Sequence, residues 1–406
     1  MRLTHLSLTN FRNFVRLETD LPPGPTLLVG ANAQGKSSLL EAMYYLSGAA
    51  SPHASSDRQL INFLALKEPA PFARIVAEMR QHDLPQRIEI RIVDEAGGPG
   101  EGPRLRKEVL VNGVRRPVRQ LAGSFTAVLF QPRDLQVIEG SPGDRRRFLD
   151  EALSQADAAY SEAISRYGKT LSNRNALLKQ IQEAGSGSSG DQLAFWDEQL
   201  ADLAATLIRS RALALRELEH FAQPIHADLT RGSESLRLEY LPSYNPVPLP
   251  EGQLGLPLEA PPDRAAVSRE SLREGLLATL RDTHADDISR GLTLIGPHRD
   301  DFRISASGID LTSYGSRGQD RTAILALKLA EIEWMRQRTG EWPVLLLDEV
   351  LAELDTSRRA SLLARVHPAE QAILTSADIG MFAEDFRRQA TIWEISAGTL
   401  RPLGGP

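Results

Sequence analysis

The 406-residue chain contains no cysteine. That absence excludes disulfides, thiolate metal sites, iron–sulfur clusters and cysteine nucleophiles. Its 8 histidines are scattered, and no two fall at metal-ligand spacing. No apolar run approaches the roughly 20 residues that a bilayer-spanning helix needs. Residues 1–5, M-R-L-T-H, lack the apolar core of a secretory signal, so a cytoplasmic location without a membrane partner is expected. No internal repeat is present. Neither a zinc finger nor a set of stacking aromatics occurs, so nothing points to sequence-specific nucleic-acid readout. A basic excess is missing too: the net charge is -6, and any binding to nucleic acid has to use local patches.

What is there is a soluble composition, with 41% hydrophobic and 25% charged residues. The length allows two or three domains. Residues 1–20 read as strand, turn, strand, and residues 26–29 as a short buried strand that runs into Gly30. Residues 37–46 then read as a helix. Strand-like runs follow at 73–78 and 87–93, and another pair flanks Asn112-Gly113, a hairpin signal. A glycine-rich acidic loop is expected at 95–103. Residues 127–130 form another buried strand. From 144 to about 215 the pattern is helical, broken at 185–190 by G-S-G-S-S-G, so two long helices should form an antiparallel arm. Residues 242–262 are proline-rich and read as a loop. A helix returns at 268–281. The last block has a long helix at 316–339 and apolar strands at 344–347 and 372–375, the spacing of a parallel sheet.

Residues 30–37 read G-A-N-A-Q-G-K-S between the strand and the helix. In that context backbone N–H groups and a helix N-terminus converge on an anion. Gly30 and Gly35 allow close backbone approach. Ala31, Asn32, Ala33, Gln34 and Ser38 complete the cradle, Lys36 reaches the β- and γ-phosphates, and Ser37 offers its hydroxyl to Mg²⁺. Residues 344–349 read V-L-L-L-D-E. The buried strand delivers Asp348 to its end, where it can hold Mg²⁺, and Glu349 can polarise the attacking water. The other reading is an acidic pair that caps the helical turn at Ala352.

Glu349 directly after Asp348 resembles the ABC-type ATPases. Residues 315–319, G-S-R-G-Q, are similar to the signature of that family and open a helix, although a simple helix cap would look the same. The resemblance implies that Ser316, Arg317, Gly318 and Gln319 bind the γ-phosphate held by a second copy. It makes residues 352–355 the D-loop, with Asp355, and makes Gln131 a candidate for the glutamine that touches nucleotide and Mg²⁺; a loop glutamine is the alternative. Transport members carry a histidine after the next strand. Here that strand ends L-T-S-A-D at 374–378, so Thr375 or Ser376 would have to sense the γ-phosphate.

Residues 10–14 (N-F-R-N-F), 35–42 (G-K-S-S-L-L-E-A), 140–150, 172–175 (S-N-R-N), 296–301 (G-P-H-R-D-D) and 313–321 resemble the RecF recombination mediators over most of the chain. The resemblance implies an α/β ABC-type, SMC-like ATPase head: a mostly parallel core sheet, an antiparallel β subdomain and a helical arm inserted between the halves of the head. It brings Arg12 to the nucleotide. The expected division is 1–140, the phosphate-loop half; 141–289, the arm and its connection; and 290–406, the half with signature, Asp-Glu strand and D-loop. It further implies ATP-dependent dimerisation on double-stranded or gapped DNA, single-stranded DNA also being possible, a weak DNA-stimulated ATPase with Mg²⁺, and action with RecR and RecO to help load RecA.

Candidate DNA contacts are Arg104, Arg106, Lys107, Arg115, Arg116 and Arg119 around the hairpin; a solvated charged surface is the competing reading. Arg145, Arg146 and Arg147 could bind phosphate or pair with acids on the arm helix. His298, Arg299, Asp300 and Asp301 read as an ion-paired structural corner. Two rivals use the same head. An ATP-dependent nuclease of the overcoming-lysogenisation type needs an added acidic metal domain, and the chain after Asp355 is too short for one. A soluble transport ATPase subunit is opposed by the missing histidine.

Overall fold

The computed structural model describes residues 1–95, 104–184, 190–246 and 263–403. The acidic glycine loop, the 185–189 break and residues 247–262 of the proline-rich stretch lie outside the described residues. The chain divides into two compact units, Met1–Asp134 with Glu331–Pro406, and Leu135–Ala330.

The first unit holds two six-stranded sheets. Its central sheet runs, edge to edge, Thr399–Pro402, Thr391–Ser396, Gly24–Val29, Gln371–Ser376, Val344–Asp348 and Ala127–Phe130. All neighbours are parallel except the Thr399–Pro402 edge. Val344–Asp348 and Ala127–Phe130 are buried at every position, as continuous apolar strands must be when both faces are covered. The strands come from both ends of the chain. Val29 therefore pairs beside Ser376, Thr375 beside Asp348, and Phe130 beside Leu347. The C-termini of these five parallel strands lie along one edge, the usual place for ligands in an open α/β sheet.

The antiparallel sheet runs Phe14–Asp20, Arg2–Phe11, Phe72–Gln81, Leu84–Glu95, Arg104–Val111 and Val114–Arg116. Asn112 (φ 50°) and Gly113 (φ 79°) make the tight left-handed turn expected between the last two. Its apolar face, with Leu6, Leu8, Ile75 and Ile90, shares one hydrophobic cluster with Leu39, Leu40, Met43 and Leu46 of the Lys36–Gly48 helix. That burial anchors the helix that follows the glycine loop at residues 30–35.

The second unit is built on the helices Pro142–Ala156, Ala158–Ala184 and Gly190–Thr230. Arg174 reaches Asp197 while Leu178 clusters with Leu193; rising numbers on one helix meet falling numbers on the other, so the arm is antiparallel. Strand Asp301–Ala306 pairs with Leu236–Leu241, and Arg145 holds Asp301 through Nε at 2.6 Å and Nη2 at 2.9 Å. Those long-range pairings tie residues 290–330 to the arm. The compact units divide at Ala330, inside the Arg317–Thr339 helix, and at Asp134.

Buried charge organises this unit. Arg174 donates to Asp197 (2.8 Å), Asp287 (2.7 Å) and Thr293 (2.7 Å), and none of the three charged side chains is exposed. Asn175 accepts from the Thr293 N–H at 2.9 Å. The S-N-R-N segment thus pins the 284–301 region to the arm. In that region Asp300 accepts from Tyr240 and Ser243, and His298 bonds Tyr167 at 2.7 Å. Arg146 donates to the Asp300 carbonyl at 2.7 Å, and Arg147 pairs with Asp144 at 3.4 Å. The three arginines are therefore committed to the corner and to their own first turn, not to acids further along the arm. Arg174→Ala would leave buried Asp287 without its cation and buried Asp197 with His284 alone, at 2.6 Å, and should cost about 3–5 kcal/mol. A urea midpoint shift worth under about 1 kcal/mol would show that the carboxylates find other partners.

Candidate nucleotide-binding site

Helix Lys36–Gly48 starts from Gly35 with no side-chain cap and no acidic residue in its first turn. Its first N–H groups and its positive dipole end are left for an anion. Two glycines shape the approach. Gly35 has φ 112°, and a Cβ there would stand 2.4 Å from Asn13 Nδ2. A Cβ on Gly30 would stand 2.4 Å from the Ile395 carbonyl oxygen. Ala33 also lies in the left-handed region, at φ 64°. The loop is braced from outside: Asn13 donates to the Gln34 carbonyl at 3.1 Å, and the Gln34 side chain accepts from Ala397 N–H at 2.8 Å.

Asn13, Asn32, Ala33, Gly35, Lys36, Ser37, Ser38 and Glu349 line a cleft of about 310 Å³, near the lower end of ordinary ligand sites. Lys36 is 4% exposed and uses its ammonium on Gly30 O (2.7 Å), Ala31 O (3.0 Å) and Glu349 Oε1 (3.1 Å). Ser37 donates to Asp348 Oδ1 at 3.0 Å. Thr375 donates to the same oxygen at 2.8 Å and accepts from the Glu349 N–H at 2.9 Å. One chain of contacts thus joins residues 36–37, 348–349 and 375. Ser376 Oγ is instead turned to the Asp378 carbonyl at 2.8 Å. Glu349 sits at φ 52° and makes no side-chain cap, so its carboxylate faces Lys36 instead of closing the turn that follows.

Gln131 follows Phe130, which pairs with Leu347, so it emerges beside Asp348. Its Oε1 is buried without a hydrogen-bond partner among the described residues. With Ser37 Oγ and the Asp348 carboxylate it offers hard oxygen donors of the kind magnesium takes, alongside phosphate oxygens. Among the described residues no cluster of three or more histidine or acidic side chains is arranged for a metal.

Other sequence candidates stand elsewhere. Arg12 does not line the cleft; it grips Glu41 through two bonds of 2.7 Å and donates to Gln59 O at 3.1 Å. Asp355 caps Thr356–Val366, accepting from Arg358 N–H at 2.9 Å, and that bond holds its carboxyl below the usual range. In the second unit, Ser316, Arg317 and Gly318 are exposed at the start of the Arg317–Thr339 helix. The Gln319 N–H donates to Ser316 Oγ at 3.3 Å and the Ser316 N–H to Gln319 Oε1 at 3.1 Å, a reciprocal cap.

The six DNA candidates do not form one patch. Strand alternation puts Arg106 and Arg115 on the face of Glu108, which both contact, at 2.7 and 2.9 Å. Lys107 points the other way, to Asp57 (2.8 Å), Ala49 O and the Tyr45 ring. Arg116 sits opposite Val109, on the Lys107 side. Arg104 and Arg116 are exposed, and Arg119 is half-buried.

Two residues near these groups had no role assigned from sequence: Asn13, which lines the cleft, and His53, close to the charges of Glu41 and Asp348. Asn13 stands in the N-F-R-N-F segment, whose repeat of asparagine beside the loop was the available signal. His53 had none. Ser51 donates to Glu41 and accepts the His53 and Ala54 N–H groups, which sets this turn on the Glu41 face of the phosphate-loop helix. Burial lowers the His53 pKa, opposed by the nearby charges of Glu41 and Asp348.

The sequence matches the RecF/RecN/SMC N terminal domain family over residues 2–397. It is 40% identical to the DNA replication and repair protein RecF of Chloroflexus aurantiacus, over 98% of this chain and 99% of that one. The RecF of Staphylococcus epidermidis is 35% identical, with 98% and 100% covered. Among solved structures, the recombination mediator protein RecF-ATP of the RecFOR pathway superposes with a TM-score of 0.82 at 32% identity, covering 99% of this chain and 97% of the other.

Proposed function

We propose, for a chain that belongs to the RecF family of DNA replication and repair proteins, an ATP-operated clamp on DNA. Its fold is the α/β ABC-type ATPase head of that family. The observation that carries the reading is the joined set Lys36, Ser37, Asp348, Glu349 and Thr375, in which the two ends of the chain complete one phosphate site.

In this reading the loop N–H groups and Lys36 take the β- and γ-phosphates. Lys36 exchanges its contact with Glu349 for phosphate, and the freed carboxylate orients the attacking water. Ser37, Asp348 and Gln131 would hold a magnesium ion, whose charge offsets that of the phosphates. Thr375, bonded to both acidic residues, keeps Asp348 and Glu349 in register. Ser316, Gly318 and the open helix N-terminus of a second copy seal the γ-phosphate. ATP then acts as glue, because the bridging contacts need both copies and the third phosphate. Slow hydrolysis, stimulated by DNA, releases the pair. The solved relative is described as part of the RecFOR pathway, which supports action with RecO and RecR in helping to load RecA at gapped DNA.

The test is a DNA titration with and without ATP, across salt, on gapped and blunt duplexes. Affinity should rise with ATP, and its logarithm should fall linearly with log salt. Binding indifferent to ATP on every substrate would overturn the clamp.

A further inference from the structure

We propose that Glu234 is a positioning residue for the signature turn, fixing the orientation of the Gln319 amide from the end of the long arm helix. The inference rests on the clamp reading for its functional consequence, though not for its geometry.

Gln319 is engaged at both ends of its amide. Its Oε1 accepts from the Ser316 N–H at 3.1 Å, and its Nε2 donates to Glu234 Oε1 at 2.9 Å. An amide has one accepting and one donating end. With a carboxylate at the donating end, only the carbonyl can face the Ser316 N–H; the flipped amide would set donor against donor and oxygen against oxygen. Glu234 thereby selects the form of Gln319 that closes the reciprocal cap with Ser316. No sequence motif marks it. It lies in the turn between helix Gly190–Thr230 and strand Leu236–Leu241, more than eighty positions before the residue it orients.

Among the described residues the carboxylate makes no other side-chain hydrogen bond. Its second oxygen, Oε2, is buried without a hydrogen-bond partner among the described residues. It stands 3.8 Å from Nε2 of His226, a fully buried residue whose two ring nitrogens also lack hydrogen bonds. A half-buried carboxylate with an unsatisfied oxygen is costly to keep. Its one strong bond is the bond to Gln319. The signature is thus held by the same turn that ends the arm helix, and a shift of that turn would be felt first at the Gln319 amide.

The experiment compares full-length wild type, Glu234→Ala and Glu234→Gln. ATP-driven association is read by sedimentation, and nucleotide affinity by titration at protein concentrations too low to associate. The Gln319 side-chain amide is read by ¹⁵N-glutamine NMR, with Gln319→Glu as the assignment control. Glu234→Ala should leave nucleotide affinity unchanged, weaken association about tenfold, the effect of one hydrogen bond to a charged group, and shift the Gln319 amide signal. Glu234→Gln, whose carbonyl can still accept, should restore most of the association. Wild-type association and amide signal in Glu234→Ala would overturn the proposal, and so would a Gln variant as weak as the Ala one. If wild type itself fails to associate with ATP, the clamp reading falls, and the amide signal alone decides whether Glu234 orients Gln319.

Discussion

Glu349→Gln should trap an ATP-bound dimer and nearly abolish turnover. The substitution keeps the shape of the side chain and the backbone bond from residue 349 to Thr375, at 2.9 Å in the native protein. Lys36 keeps its bonds to Gly30 O and Ala31 O. What is lost is the carboxylate that would take up the proton of the attacking water. Such a group contributes typically 10²- to 10⁴-fold, so steady-state hydrolysis should fall by about that factor while nucleotide affinity holds. With γ-phosphate no longer removed, the bridge between copies persists. Sedimentation at micromolar protein with ATP should show a stable dimer. A monomer under those conditions, with nucleotide bound, would remove the glue role from ATP.

Lys36→Ala should act earlier, on binding. Lys36 is buried, and among the described residues its ammonium is the one side-chain cation that lines the cleft. Hydrogen bonds to a charged group are worth roughly 1.5–3 kcal/mol. Losing contacts to two phosphates should therefore weaken ATP affinity by about 10²-fold or more, and ATP-driven association should vanish at ordinary nucleotide concentrations. The fold should survive, because Glu349, left without Lys36, is 39% exposed and can be solvated. Thermal unfolding without nucleotide should shift little, and the stabilisation seen on adding ATP should disappear. Undiminished association would mean that the nucleotide is incidental to it. The two variants separate the steps: one blocks entry to the ATP state and the other blocks exit.

Much of this site was legible in the sequence because its chemistry is local. The backbone of residues 30–37 can cradle an anion only with glycine where Cβ would collide, with Lys36 and Ser37 at the start of a helix, and with a buried strand before it. The residue types and their spacing are written between the strand that ends at Val29 and the helix that begins at Lys36. Asp348 was legible for a similar reason, since an apolar run of strand length has to be buried and its first polar residue falls at the strand end. The arm was visible as helical periodicity on both sides of a glycine–serine break.

Other features depended on partners far away in the chain. Thr375, and not Ser376, meets Asp348 because parallel pairing puts Thr375 opposite it. A shift of one residue would have exchanged their roles. The basic residues around the hairpin are close neighbours along the chain, but alternation across the strands sends Lys107 inward to Asp57 and leaves Arg106 and Arg115 sharing Glu108. Residues 290–330 joined the arm because Asp301–Ala306 found its ladder at Leu236–Leu241. Asn13 stood in a motif that gave it no role of its own, and His53 and Glu234 stood in none.

The sequence by itself determined the kind of chemistry: a phosphate cradle, an acidic pair at a strand end, and no cysteine or membrane-spanning run. Backbone geometry and side-chain type act within a few residues there, so spacing alone conveys them. Only the tertiary structure decided which distant groups complete that chemistry. Strand register and the satisfaction of buried polar atoms are set by pairings across hundreds of residues, and local periodicity holds no record of them.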